Sequence, residues 1–388
     1  MGVISAIGNT VAENHTALAR GYCGIRKPND FPSKYAGVLP FGLVQLSSEE
    51  LKAKLNITAP GVTRTTLLAM HAANEAIADA GLTTQQLTSP QTALIGATTV
   101  GGMCLMDELY NDANKTSGGS EFLSSYDCAS AFMFLQAQYN ITGIINTINT
   151  ACSSSANAIM YGARLIKNGL AKRVIAGGTD SLSKFTINGF NALHILSRET
   201  CTPFDENRQG LNLGEGAAFV ILEGEESIGN KKVYAELTGH CNCNDAFHPS
   251  SLSDEGDGPC LVMDGALAVA KINNNDISFI NAHGTATPNN DEVESKAMIK
   301  VFGDNIPAFA STKGNIGHTL GAAGSIEAVY SILNLMHQEV YAGLGFKQPI
   351  VNTGLIPNTA YTKTALQHVM SNSFGFGGNC SSLIFSKS

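Results

Sequence analysis

Charge is scarce in this chain: Asp, Glu, Lys and Arg make up 14% of its 388 residues, against roughly 25% in an average soluble protein. Much of its surface is therefore expected to be buried, and an oligomer is the natural outlet. Runs of Lys and Arg are missing as well, and at a net charge of −8 no basic patch is available to neutralise a phosphate backbone, so nucleic acid is not expected as a partner. No apolar stretch approaches the roughly 18 residues of a membrane span. No signal peptide is expected from the opening residues. Its nine cysteines are scattered and odd in number, which speaks against a disulfide framework and for a reducing cytoplasm. Cys241-Asn242-Cys243 beside His240 lacks the spacing of about two to four residues found in zinc sites, and no second pair answers it, so no metal is expected.

What is present is apolar material, 44% of residues, in an alternating pattern. Residues 92–97, 141–148, 173–176 and 217–222 read as strands, and 65–80 and 156–168 as helices stopped by Gly81 and Gly169, an α/β pattern. A polar stretch over 223–232 separates a second half with strand candidates at 233–239 and 277–282. Strand, loop and small-residue helix follow one another over 148–168 and again over 308–337, which points to a duplicated unit.

Four segments carry chemistry. Cys152, in Asn149-Thr150-Ala151-Cys152-Ser153-Ser154, sits where a strand gives way to a helix. The unpaired N–H groups and positive dipole end there are expected to lower a cysteine pKa from about 8.5 into the range of about 3.5–7.5. A buried structural cysteine is the bland alternative. His283 follows an apolar run, in His283-Gly284-Thr285-Ala286-Thr287-Pro288; Gly284 permits close backbone approach, and the two threonine hydroxyls suit a polar, extended ligand arm. Lys313 and His318 stand in a glycine-rich loop before a helix whose small residues, Gly321 to Gly324, let it approach another backbone. That places His318 in the interior, with Glu327 available to balance Lys313, either for chemistry or as a plain salt bridge. Finally, Phe376 stands between glycines in Asn372-Ser373-Phe374-Gly375-Phe376-Gly377-Gly378, a loop able to aim a backbone N–H inward.

In that order these segments resemble the β-ketoacyl-[acyl carrier protein] synthases, specifically the elongating Cys-His-His class, over nearly the whole chain. The resemblance implies a thiolase-like duplicated fold in five layers, α-β-α-β-α, divided into halves 1–228 and 229–388, and a homodimer, with a heterodimer as the variant. It implies Cys152 as nucleophile, His283 and His318 as the decarboxylation pair, Lys313 as organiser, Glu327 as its support, and Phe376 as guard of the acyl pocket. The Cys152 and Phe376 N–H groups would form the oxyanion hole, and Thr285 and Thr287 would bind pantetheine. Val100 would line the acyl pocket, and Arg64 and Arg198 would steer the acyl carrier protein and its phosphopantetheine arm. No cofactor is required by this chemistry.

Three departures stand out. Family members carry a short strand ahead of a segment like residues 2–9, so one sheet is expected to lack a strand if the chain starts at Met1. Asn379-Cys380 follows Gly378 where elongation enzymes commonly have Thr-Asn, and the 197–205 segment is short; both keep a secondary pathway, such as an aryl-polyene or flexirubin-like pigment, as an alternative to fatty-acid elongation. A thiolase would need a second catalytic cysteine, for which only Cys380 is placed, and a non-catalytic chain-length partner would typically lack the nucleophile.

Overall fold

The structure is a computed structural model that describes every residue except Asp30 and Thr116. Its core is two five-stranded sheets. The first takes Gly2–Ile4, Thr92–Ala97, Ile145–Ile148, Arg173–Asp180 and Gly216–Glu223; the second takes Glu236–Asn244, Phe279–Asn281, Ala308–Ala310, His368–Gly375 and Asn379–Ser386. Numbered by chain order within each sheet, the spatial order is third, second, fourth, fifth, first in both. In both, the third, second and fourth strands run parallel and the fifth and first pair antiparallel. The duplication read from residues 148–168 and 308–337 is thus a repeat of topology: each stretch begins at the third strand of its sheet and leads to an inner helix.

Side chains alternate across the pleat. Val174 and Ala176 face a core shared with the helices Ser154–Lys167 and Ala323–His337, while Ile175 between them faces the outer helices Arg64–Asp79 and Ser130–Tyr139. On the second sheet, Leu383 and Val369 belong to the shared core, and Ile384 and Met370 pack outward against Met263, Ala297 and Met298 of the helices Asp257–Ala270 and Pro288–Phe302. The five layers are therefore helix, sheet, paired inner helices, sheet, helix.

The inner pair approaches closely. A Cβ on Gly324 would stand 2.6 Å from the Ala156 backbone nitrogen, and one on Gly178 would stand 2.9 Å from the Gly321 carbonyl. These contacts account for the small residues noted in the sequence. They also explain why the strand expected to end at Ala176 runs to Asp180: Gly177 and Gly178 are strand residues against which other backbone packs.

Among the described residues the first sheet has as many strands as the second. Gly2–Ile4 forms the edge strand on Phe219–Ala217, and the Val3 N–H donates to the Glu75 carboxylate at 2.9 Å. Among the described residues no helix is long and apolar enough to cross a membrane.

Candidate active site

After Ile148 the chain turns sharply. Ala151 adopts φ 52°, a left-handed conformation that costs a non-glycine residue about 1–3 kcal/mol. The Ser154 hydroxyl holds the turn, accepting the Thr150 N–H at 2.9 Å and donating to the Ala151 carbonyl at 2.5 Å. Cys152 follows, and the helix begins at Ser154. The thiol is buried, and its electrostatics differ from the expectation. Burial pushes it up to about 11, against the pull of Lys313 and of the Phe376 N–H; the helix end does not outweigh desolvation.

Three strands of argument in the sequence meet here. Cys152 Sγ and ring nitrogens of His283 and His318 all lie within 4.8 Å of one another, although 131 and 35 residues of chain separate them in turn. The imidazoles meet edge to face, with centroids 5.5 Å apart at 85°. Both are held far below the usual histidine range, first by burial and then by Lys313, so both are neutral near pH 7. Their tautomers follow from their hydrogen bonds. His318 Nδ1 accepts the Leu320 N–H at 3.3 Å, leaving a proton on Nε2, which has no partner. His283 Nδ1 stands 3.3 Å from Lys313 Nζ and accepts from it, which puts the proton of His283 on Nε2 as well.

Lys313 is fully enclosed. Its ammonium also donates to the His283 carbonyl at 2.5 Å and pairs with Glu327, whose carboxyl burial pushes up against the pull of Lys313. Cys152, His283 and His318 are metal-ligand types, and no other such group of three occurs among the described residues. The Lys313 ammonium contacts the Nδ1 of His283, leaving its opposite nitrogen as the one turned to the thiol side.

Phe376 follows the strand His368–Gly375, and its N–H is directed at Cys152. Gly375 is why this is possible: a Cβ there would stand 3.0 Å from the Cys152 nitrogen and 2.8 Å from the Thr150 carbonyl. The Phe376 ring stacks on Phe190 at 5.8 Å. Thr285 and Thr287 share a 2.9 Å hydroxyl contact. Val100 is buried among Leu182, Ile187, Leu320 and the partly buried Met103 and Phe190.

The two arginines part company. Arg198 is exposed, whereas Arg64 is committed to Glu215, donating at 2.6 Å to a carboxylate that also accepts the Val44 and Leu182 N–H groups. Its guanidinium ties chain segments together through Glu215, Ser48 and the Val44 carbonyl.

Sequence reasoning missed several residues around the site. Asp180 accepts from the Thr98 hydroxyl and from the Thr99, Val100 and Gly321 N–H groups, joining the Val100 loop to the loop after His318. Glu294 accepts the His283 and Gly284 N–H groups, each at 2.8 Å, and burial raises it to about 7. Phe374 lies edge-on to His283 at 5.7 Å. Phe190, Asp180 and Glu294 stand in no motif; only the phenylalanine of the Gly-Phe-Gly-Gly stretch drew notice to its neighbour Phe374.

The sequence matches the family described as Beta-ketoacyl synthase, N-terminal domain, over residues 1–227, and Beta-ketoacyl synthase, C-terminal domain, over 234–347. It is 32% identical to 3-oxoacyl-[acyl-carrier-protein] synthase 2 of Coxiella burnetii, over 100% of this chain and 97% of that protein. The fold superimposes on a type II polyketide ketosynthase in complex with its acyl-carrier protein, TM-score 0.91, 25% identity, covering 100% of this chain and 98% of that one. It likewise resembles a ketosynthase in complex with its chain length factor from Xenorhabdus doucetiae, TM-score 0.83, 30% identity, covering 100% and 96%. With its thiol and two imidazoles gathered between two like sheets, and with both family domains spanning most of its length, the chain belongs to the β-ketoacyl synthases.

Proposed function

We propose that this chain is a 3-oxoacyl-[acyl carrier protein] synthase that condenses malonyl-[acyl carrier protein] with an acyl group carried on Cys152, in fatty-acid chain elongation. The observation that carries this reading is the meeting of Cys152 with two neutral, buried imidazoles, of which His318 has an Nε2 with no partner.

In the first half-reaction Cys152 sulphur attacks the carrier thioester, and the thiol proton ends on the departing pantetheine sulphur. The tetrahedral oxyanion is met by the Cys152 and Phe376 N–H groups, a device worth about 3–4 kcal/mol per donor in other enzymes. In the second, malonyl thioester loses CO₂, and the enolate oxygen accepts from the Nε2 protons of His283 and His318, neither of which has to give up its proton. The enolate carbon attacks the acyl carbonyl, the bond to Cys152 breaks, and the thiolate is reprotonated. No metal or organic cofactor enters this sequence. Thr285 and Thr287 suit the pantetheine arm, the Phe376–Phe190 stack the mouth of the acyl pocket, and Val100 its wall. Arg198 is the arginine left for carrier docking.

A division into halves 1–228 and 229–388 is supported by the two sheets, whose strands fall within 2–223 and 236–386. A homodimer is supported by the open edge of Ile145–Ile148 and by Met133, 51% exposed on the helix beside it, and a reducing cytoplasm by nine free thiols. A second reading, condensation in a polyene or polyketide pathway as a heterodimer, draws on the likeness to the ketosynthase with a chain length factor. The test is incubation with malonyl- and acyl-carrier proteins of differing chain. A 3-oxoacyl product two carbons longer than the acyl donor, with release of CO₂, supports the proposal; saturated donors favour elongation, polyene donors the second reading, and no product refutes both.

A further inference from the structure

One row of side chains crosses three strands of the second sheet. Phe374 lies directly opposite Cys380, and Cys380 directly opposite Cys243 on the edge strand. The three share an apolar cluster with Leu252, Val262 and Val293, so their side chains project to one face. At its inner end the row meets chemistry, since the Phe374 ring abuts His283. At its outer end it meets the loop that carries Phe376: the Asn244 side chain donates to the Gly377 carbonyl at 2.7 Å and the Asp245 N–H to the Gly378 carbonyl at 2.8 Å.

We propose that Cys243 and Cys380 are a redox site, a dithiol that closes to a disulfide with small disulfide oxidants of the glutathione kind and thereby slows turnover. Directly opposed residues of antiparallel strands have Cα atoms about 4.5–5.5 Å apart, inside the span of about 4.4–6.8 Å that a disulfide bridges. The two thiols are unequal. The proximity of the two lowers Cys243 and raises Cys380, and the Cys243 S–H donates to the Gly258 carbonyl at 3.4 Å. Cys243 is half-buried on an edge strand, and so is the thiol that an oxidant reaches.

The chemistry balances by thiol–disulfide exchange. Cys243 thiolate attacks one sulphur of oxidised glutathione, forming a mixed disulfide and expelling one glutathione thiolate. Cys380, having lost its proton, attacks the Cys243 sulphur and expels the second. Two cysteines are oxidised and one glutathione disulfide is reduced to two thiols, which take up the two protons the cysteines gave up. In a reducing compartment such a bond is transient and reports redox state. The bond would fix the edge strand to its neighbour at the point where both hold the 376–378 loop, and would press the row toward Phe374 and His283.

Formation of the bond is independent of the proposed function; only its effect on turnover rests on that reading. The experiment uses the full chain as Cys152→Ser, so that the site thiol does not react, equilibrated in glutathione buffers from reduced to oxidised, alkylated and mapped by peptide mass. The expected product is a linked pair of peptides carrying residues 243 and 380, lighter by two hydrogens, lost on addition of dithiothreitol and missing in Cys243→Ser and Cys380→Ser forms. Both residues alkylated throughout, or either joined to another cysteine instead, would overturn the proposal. In the chain with Cys152 intact and acylated for protection, condensation should fall several-fold on oxidation and recover on reduction, and the Cys243→Ser form should not respond. Equal loss in both would overturn the regulatory part, whereas absence of condensation in the reduced chain would count against the proposed function and leave the mapped bond standing.

Discussion

Lys313 Nζ touches His283 twice, at the ring Nδ1 and at the backbone carbonyl, 3.3 and 2.5 Å away. One buried ammonium thereby sets both the position and the tautomer of an imidazole, while Glu327 balances its charge. Removing Lys313 alone strands a buried carboxylate, at a cost of about 3–5 kcal/mol, whereas replacing both partners by apolar residues of like volume is often neutral. Thermal unfolding of Lys313→Met should therefore fall well below that of Lys313→Met/Glu327→Leu, with both variants losing malonyl decarboxylation. Equal stability of the two would show that the pair is not coupled.

The thiol of Cys152, pushed up to about 11 by burial, is protonated in the resting chain. Alkylation of Cys152 by iodoacetamide should therefore accelerate by about tenfold per unit from about pH 7 to about pH 9, in step with the thiolate fraction. A rate already flat at about pH 7 would restore the low-pKa expectation drawn from the helix end.

Gly375 has φ −110°, a conformation open to any residue, so Gly375→Ala tests contact without backbone strain. Its methyl would press on the Cys152 nitrogen and the Thr150 carbonyl, displacing the two N–H donors from each other. Loss of one oxyanion donor costs about 10²–10³ in kcat, and a loss approaching this is expected with little change in KM for the carrier substrates. Unchanged kcat would remove the 375–376 backbone from the chemistry.

Both imidazoles are lowered well below the ordinary value of 6.5. A group with a depressed folded pKa keeps its neutral form until the pH falls through that depressed value, so decarboxylation of malonyl thioester should show no histidine inflection from about pH 8 down to about pH 6. It should also survive Cys152→Ala and be abolished by His283→Ala. An inflection at about 6.5 in the pH profile would mean that the imidazoles are solvated.

How much of this was legible depends on where each residue's partners lie. Cys152, His283, His318 and Phe376 carry local signatures, because glycines and small residues must flank a group that other backbone approaches. Asp180 and Glu294 leave no such mark: most of their partners are backbone N–H groups, some from distant segments, which almost any residue provides. Arg64 read as surface charge because Glu215, 151 positions away, is invisible to local pattern. The Cys152 pKa was misjudged for a related reason, since the helix start is written in the sequence and the depth of burial is not.

The most direct measurement is the intact mass of the chain after incubation with an acyl-carrier protein. The expected result is one acyl group, located on Cys152 by peptide mapping and discharged on addition of malonyl-carrier protein with release of CO₂. An unmodified chain, or an acyl group on another of the nine cysteines, would contradict the assignment of Cys152 as the acyl-bearing nucleophile.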